Sequence, residues 1–231
     1  TWLCKKKDRY VALKMIAPKG EKKVRFEVVE SATEKGLGFD PTAFSKGGNA
    51  TCPFCGTVAD SDYVKSEGKA GRMGQQMMAI VCTRPGKKGK IYFAAQQAYA
   101  LLQKADKTPV PPEEEIQRRI EALCRRTGLT VPREPIEARM TGGICLPYGL
   151  IRFGDLFTPR QMLCLLSFAA AVGECVEELG RERVEGDRVK AVVTYLATAV
   201  DREAEDLSSL CRWNSSAEKM QGTFGRQALP M

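Results

Sequence analysis

Residues 106–112, Asp-Lys-Thr-Pro-Val-Pro-Pro, are the stretch that most constrains how this chain can fold. Proline lacks a backbone donor and fixes φ, so three prolines in seven residues stop any helix or strand that reaches them. The two sides also follow different periodicities. Ahead of the stretch, 10-YVALKMIA-17 and 24-VRFEVVE-30 are short β-branched or aromatic runs joined by Pro18-Lys19-Gly20, the pattern of a hairpin. Two more strands are expected at 77-MMAIVCT-83 and 90-KIYFA-94, with the basic turn 84-RPGKKGK-90 between them. A short helix over about 95–105 closes this half.

Behind the stretch, apolar residues recur at helical spacing. Pro111 and Pro112 followed by Glu113, Glu114 and Glu115 open a helix, with Ile116, Ile120, Leu123 and Cys124 on one face and Gly128 as its stop. Thr158-Pro159-Arg160-Gln161 fits a capping box. The helix it opens is apolar nearly all round and is expected to be the buried centre of this half. A last helix, from about Arg188 to Leu210, carries Val189, Val192, Val193, Leu196, Ala197, Val200 and Leu207 as its core stripe. The sequence thus predicts an α+β chain, β-rich over 1–105 and helical over 113–231.

Net charge is +8 and unevenly spread. Residues 1–112 hold 20 Lys/Arg against 10 Asp/Glu, and residues 113–231 hold 16 against 18. A basic half suits a polyanion such as nucleic acid, and solubilising lysines on strands are the plainer alternative. Histidine is absent, which excludes imidazole general bases, Ser-His-Asp or Cys-His catalysis and Cys₂His₂ fingers built from this chain alone. Nine cysteines and no export signal favour a reducing, cytoplasmic setting. The longest apolar run, 162-MLCLLSFAAAVGECV-176, is too short to span a membrane and is interrupted by Glu174, so no membrane partner is expected.

The sharpest motif is Cys52-Pro53-Phe54-Cys55-Gly56. Two residues between thiols let both sulfurs face one point, and the glycine permits the tight turn. Soft thiolates select zinc or iron–sulfur. A redox C-x-x-C would sit between a strand and a helix start, whereas turn residues flank this one. Cys52 and Cys55 supply two of four zinc ligands. Cys4 and Cys82 are the candidates for the others within the chain, and residues upstream of Thr1 are the alternative. Cys124, Cys164, Cys175 and Cys211 fall in helical segments and read as small core residues. The glycine-rich basic stretch 67-EGKAGRMGQQ-76 matches neither nucleotide-cradle pattern, but Lys69 and Arg72 could meet a phosphate backbone. Lys5, Lys6 and Lys7, near Trp2 and Tyr10, could do the same. The last stretch, 208–231, is polar, spaces Arg212, Trp213, Phe224 and Arg226, and ends abruptly on Leu-Pro-Met.

Four segments together resemble a known family: 2-WLCKKK-7; 50-ATCPFCG-56 with 67-EGKAGRMG-74; 154-GDLFTPRQ-161; and 210-LCRW-213 with 223-TFGRQALPM-231. They are similar to the central region of adenine-specific DNA methylases that contain a Zn-ribbon, large prokaryotic proteins with an N-terminal domain of unknown function. The resemblance implies an S-adenosylmethionine-dependent enzyme acting on the N6 amino group of adenine. It places the cofactor motif upstream of this chain and the catalytic Asp-Pro-Pro-Tyr motif downstream. It also places the ribbon's first knuckle before the stretch matching 2-WLCKKK-7, off the start of this chain. Cys52 and Cys55 alone then carry over as zinc ligands. No catalytic or S-adenosylmethionine-binding residue carries over, and the chain by itself is expected to be inactive. On this reading the first half is a basic, partial zinc ribbon whose partners are DNA and the rest of the same methylase. A free-standing zinc-ribbon adaptor for nucleic acid or protein is the alternative.

Overall fold

The computed structural model describes residues 1–86, 88–104, 111–139 and 143–222. Most of the proline-rich stretch lies outside them, as do Lys87, Phe224, Arg226 and the final Leu-Pro-Met. The strands are β1 (Trp2–Lys6), β2 (Arg9–Ile16), β3 (Arg25–Ser31), β4 (Ser45–Lys46), β5 (Asn49–Thr51), β6 (Val58–Ala59), β7 (Ala79–Thr83), β8 (Lys90–Ala94), β9 (Arg212–Asn214) and β10 (Lys219–Gln221). The helices are α1 (Ser61–Lys69), α2 (Ala95–Lys104), α3 (Glu113–Thr127), the single turn α4 (Gly143–Cys145), α5 (Pro159–Arg181) and α6 (Gly186–Leu207). Small antiparallel sheets and long helices make the chain α+β.

Two compact units divide it. The first comprises 1–110, 138–149 and 213–219, and the second 111–137, 150–212 and 220–231. Two segments that the periodicity assigned to the helical region, 138–149 and 213–219, therefore belong with the β-rich unit. Both are short and polar or Pro/Gly-rich, so nothing local marks the unit they join.

In the first unit β1, β2 and β3 form an antiparallel meander, and β7 pairs with β8. The expected hairpin across Pro18–Gly20 is the β2–β3 pair, in register from Tyr10 opposite Ser31 to Ile16 opposite Arg25. Val11, Ala12 and Leu13 are all buried, so the middle of β2 is covered on both faces. Leu3, Cys4, Val11, Leu13, Phe26 and Tyr92 make the core, with Trp213 packed against it. Trp213 donates its indole N–H to the Leu3 carbonyl at 2.6 Å and meets Tyr92 edge-on, ring centres 6.3 Å apart. Glu218, in the β9–β10 turn, is 4% exposed. Its carboxylate accepts from Lys6, from the Tyr92 hydroxyl at 2.6 Å and from Arg9 Nη1 at 3.4 Å. Its backbone has φ +51°, a region costing about 1–2 kcal/mol for a residue with a Cβ.

The second unit is built on helices. Pro112 is the N-cap of α3, three glutamates fill the first turn, and Gly128 ends the helix at φ +75°. The Thr158–Gln161 capping box is present at the start of α5, with both reciprocal bonds made. Ile116 and Ile120 of α3 pack on Met162 and Leu166 of α5. Burial is thinner than the sequence predicts. Along α5 only Met162, Leu166 and Ala170 are buried, while Phe168 is 46% exposed. No residue of α6 is buried, and its expected core stripe is half-exposed or exposed. The reason is geometric: a helix covered along one line hides a narrow stripe, whereas the apolar pattern of α5 extends round the helix.

The Glu218 cluster generates a testable expectation. Burial opposes ionisation of Glu218, but the donors from Lys6 and Tyr92 together outweigh it and lower its pKa below the ordinary 4.5. Its contribution is complete above the unfolded-chain value and is lost as pH falls through the depressed folded value. Glu218→Ala should cost about 2–3 kcal/mol at neutral pH, read from urea unfolding, since it removes bonds to charged and buried groups. The gap between variant and parent should close in acid.

Candidate metal centre and nucleic-acid interface

The C-x-x-C turn is formed by strands on either side of it. β4, β5 and β6 make a small antiparallel sheet in that order, and Pro53–Gly56 crosses between β5 and β6. The Cys52 N–H donates to the Thr57 carbonyl at 2.8 Å, and the Gly56 N–H returns to the Cys52 carbonyl at 2.9 Å. Gly56 has φ +74°, which a residue with a Cβ adopts only with strain, so the glycine after the second thiol is a geometric requirement. Cys52 is half-buried and Cys55 exposed. The Cys55 thiol donates to the Thr57 hydroxyl at 3.3 Å. The Thr57 hydroxyl and backbone N–H then favour the thiolate, lowering the Cys55 pKa below its ordinary value, with a further hydrogen bond from Cys52. Helix α1 starts only at Ser61, capped by Asp60, so no helix N-terminus meets the sulfurs as a redox C-x-x-C would have it.

Two adjacent thiols, one of them biased toward thiolate, on a tight turn fit half of a tetrahedral zinc set. Among the described residues no group of three or more His, Cys, Asp or Glu side chains is placed to hold a metal. Cys4 and Cys82 thus do not join Cys52 and Cys55. Cys4 is buried in the core, where it donates to the Arg9 carbonyl at 3.7 Å, and burial raises its pKa, with Glu218 adding to the effect. Cys82 lies in β7, paired opposite Ile91. Completing the set would take two ligands from outside the described residues.

The five predicted nucleic-acid contacts fall into three situations. Lys6 is committed to the buried Glu218. Lys5 pairs with Glu34 at 3.1 Å and stands 4.8 Å over the Trp2 ring. Arg72 makes a fork to Glu67, at 2.8 and 2.6 Å. The Lys5–Glu34 pair is exposed on both sides and Arg72 is exposed beside a partly covered Glu67; surface pairs are worth only about 0–1 kcal/mol, so a phosphate could displace either carboxylate. Lys7 and Lys69 are exposed and make no ion pair among the described residues.

The glycine-rich stretch 67–76 divides between the end of α1, a turn at Ala70–Gly71 and an exposed segment without regular secondary structure. Gly68 lies within α1, and a Cβ there would sit 2.5 Å from the Tyr148 carbonyl oxygen. A Cβ on Gly149 would meet the Gly68 carbonyl at 2.3 Å. These glycines let α1 and the 146–149 turn touch backbone to backbone, a packing role that i,i+3 glycine spacing could not distinguish from a phosphate loop. Gly71, at φ +67°, receives the chain after the helix and donates to the Gly68 carbonyl at 3.0 Å.

The chain matches no family model, no curated protein and no solved structure. No helix among the described residues is long and apolar enough to cross a membrane.

Iodoacetamide at neutral pH should modify Cys55 ahead of Cys4 and Cys164, whose thiols burial pushes up. Peptide mass spectrometry over a time course gives the order. Added zinc should protect Cys52 and Cys55 selectively.

Proposed function

We propose that this chain is the central segment of an S-adenosylmethionine-dependent DNA adenine N6-methyltransferase, in which its basic β-rich unit grips DNA around a zinc knuckle. The observation that carries the reading is the Cys52–Gly56 turn: two accessible thiols on a strand-turn-strand, with a left-handed glycine after the second. The uneven charge, which leaves an excess of ten cations in the first 112 residues, supports DNA as the partner. An enzyme that modifies a base must extrude it from the duplex, and accessory regions that hold the backbone lower the cost of doing so. Zinc would be held by Cys52 and Cys55 with two ligands from beyond the described residues. It would supply folding energy rather than chemistry, since a complete structural site contributes about 10–16 kcal/mol. Cofactor binding and methyl transfer belong to other parts of the enzyme.

The test is made on the product of the whole reading frame. Purified protein should hold zinc that Cys52→Ser or Cys55→Ser releases, read by elemental analysis. It should also transfer a labelled methyl group from S-adenosylmethionine to adenine in duplex DNA. Zinc and DNA binding without transfer would favour the adaptor alternative. A rapid thiol–disulfide cycle at Cys52 and Cys55 with no zinc would sink the knuckle reading.

A further inference from the structure

The structure ties together three turns that are distant in sequence and belong to three separate small sheets. They are the β1–β2 turn at Lys6–Arg9, the described parts of the β7–β8 connection at 84–86 and 88–89, and the β9–β10 turn at Ser215–Glu218. Three sets of contacts tie them. The Lys5 N–H donates to the Ser215 carbonyl at 3.0 Å. Arg9 Nη2 donates to the Lys90 carbonyl at 3.0 Å. The Glu218 carboxylate holds Lys6, Arg9 and, through its hydroxyl, Tyr92 of β8. Exposed lysines with no ion pair among the described residues stand in or beside these turns: Lys7 in the first, Lys88 in the second, and Lys219 at the start of β10, directly after the third. Arg84 is exposed and unpaired in the same sense.

We infer that this pole is a phosphate-backbone binding surface for nucleic acid, with Lys7, Lys88 and Lys219 as its contacts and Glu218 as the residue that positions them. The inference rests on the nucleic-acid reading above and relocates its centre. The arrangement argues for it in three ways. Glu218 consumes Lys6 internally, and Arg9 is held by Glu30 at 2.9 Å as well as by Glu218 at 3.4 Å, so the turns are held together without spending the rim lysines. Each of the three is one or two residues from a tied group (Lys6, Lys90 and Glu218), so a few ångströms of chain fix all three together. One exposed large apolar side chain, Met220 at 40%, follows Lys219 directly, and none lies in residues 5–9, 84–86, 88–90 or 214–219. A protein-binding surface wants an apolar or aromatic centre, whereas phosphate contacts need only cations and polar backbone.

The expected behaviour is sequence-independent binding that weakens with salt. Each lysine that neutralises a phosphate adds about 1 to the slope of log affinity against log salt. The experiment is fluorescence anisotropy of the 231-residue chain with a labelled random-sequence duplex from low to physiological salt. Lys7→Ala/Lys88→Ala/Lys219→Ala should flatten the slope by about 3 and lower affinity on several unrelated duplexes equally. All three side chains are exposed, so folding should be retained. If the triple variant keeps parental affinity and slope while Lys69→Ala/Arg72→Ala loses both, the pole is wrong and the nucleic-acid reading survives. If the parent binds no duplex at all, both are wrong. Preference for polyglutamate over DNA would overturn the choice of ligand.

Discussion

Glu218 puts a carboxylate at 4% exposure against the side chains of Lys6, Arg9 and Tyr92. An ionised group so placed is tolerable only when its donors are in position, so the first unit's architecture depends on their arriving together. The β9–β10 turn must dock on β1 and β8, Trp213 must reach the Leu3 carbonyl, and the start of β8 at Lys90 must lie beside Arg9. The apolar core of Leu3, Val11, Leu13 and Phe26 supplies the driving force, and the polar cluster decides which docked arrangement that force produces. A single residue more than a hundred positions from its partners therefore closes the β-rich unit.

This has consequences for how charge is used. A run of three lysines looks uniform in sequence, yet Lys5 is loosely paired, Lys6 is tied to a buried acid and Lys7 is open to solvent. The difference comes from strand alternation and from what each face meets, Glu34 at one side and Glu218 at the other. The knuckle shows the opposite economy. Its two thiols, its glycine and its hydrogen bonds all lie within Cys52–Thr57, so the site's shape is local and does not depend on the core.

The sequence was most informative where structure is set by neighbours along the chain. The hairpin across Pro18–Gly20, the α3 start at the glutamates, the Thr158–Gln161 box and the C-x-x-C turn were all legible, because caps and turns act over three or four residues. It misled where burial depends on a partner. The stripe on α6 has helical spacing but lacks cover, and α5 is less enclosed than its composition suggests. Gly68 fell in a glycine-rich basic stretch with no element assigned to it, whereas it lies in a helix pressed against the Tyr148 carbonyl.

Composition and local pattern by themselves determined that this is an α+β chain with a basic first half, no imidazole chemistry and a two-thiol turn suited to zinc. They also supplied the family resemblance on which the methyltransferase proposal rests. Tertiary structure alone decided that residues 213–219 complete the β-rich unit and that Glu218 meets Lys6, Arg9 and Tyr92. The physical reason is that hydrogen-bonded turns are specified by the few residues within them. A buried carboxylate, by contrast, selects its cations by proximity in space, which no linear spacing records.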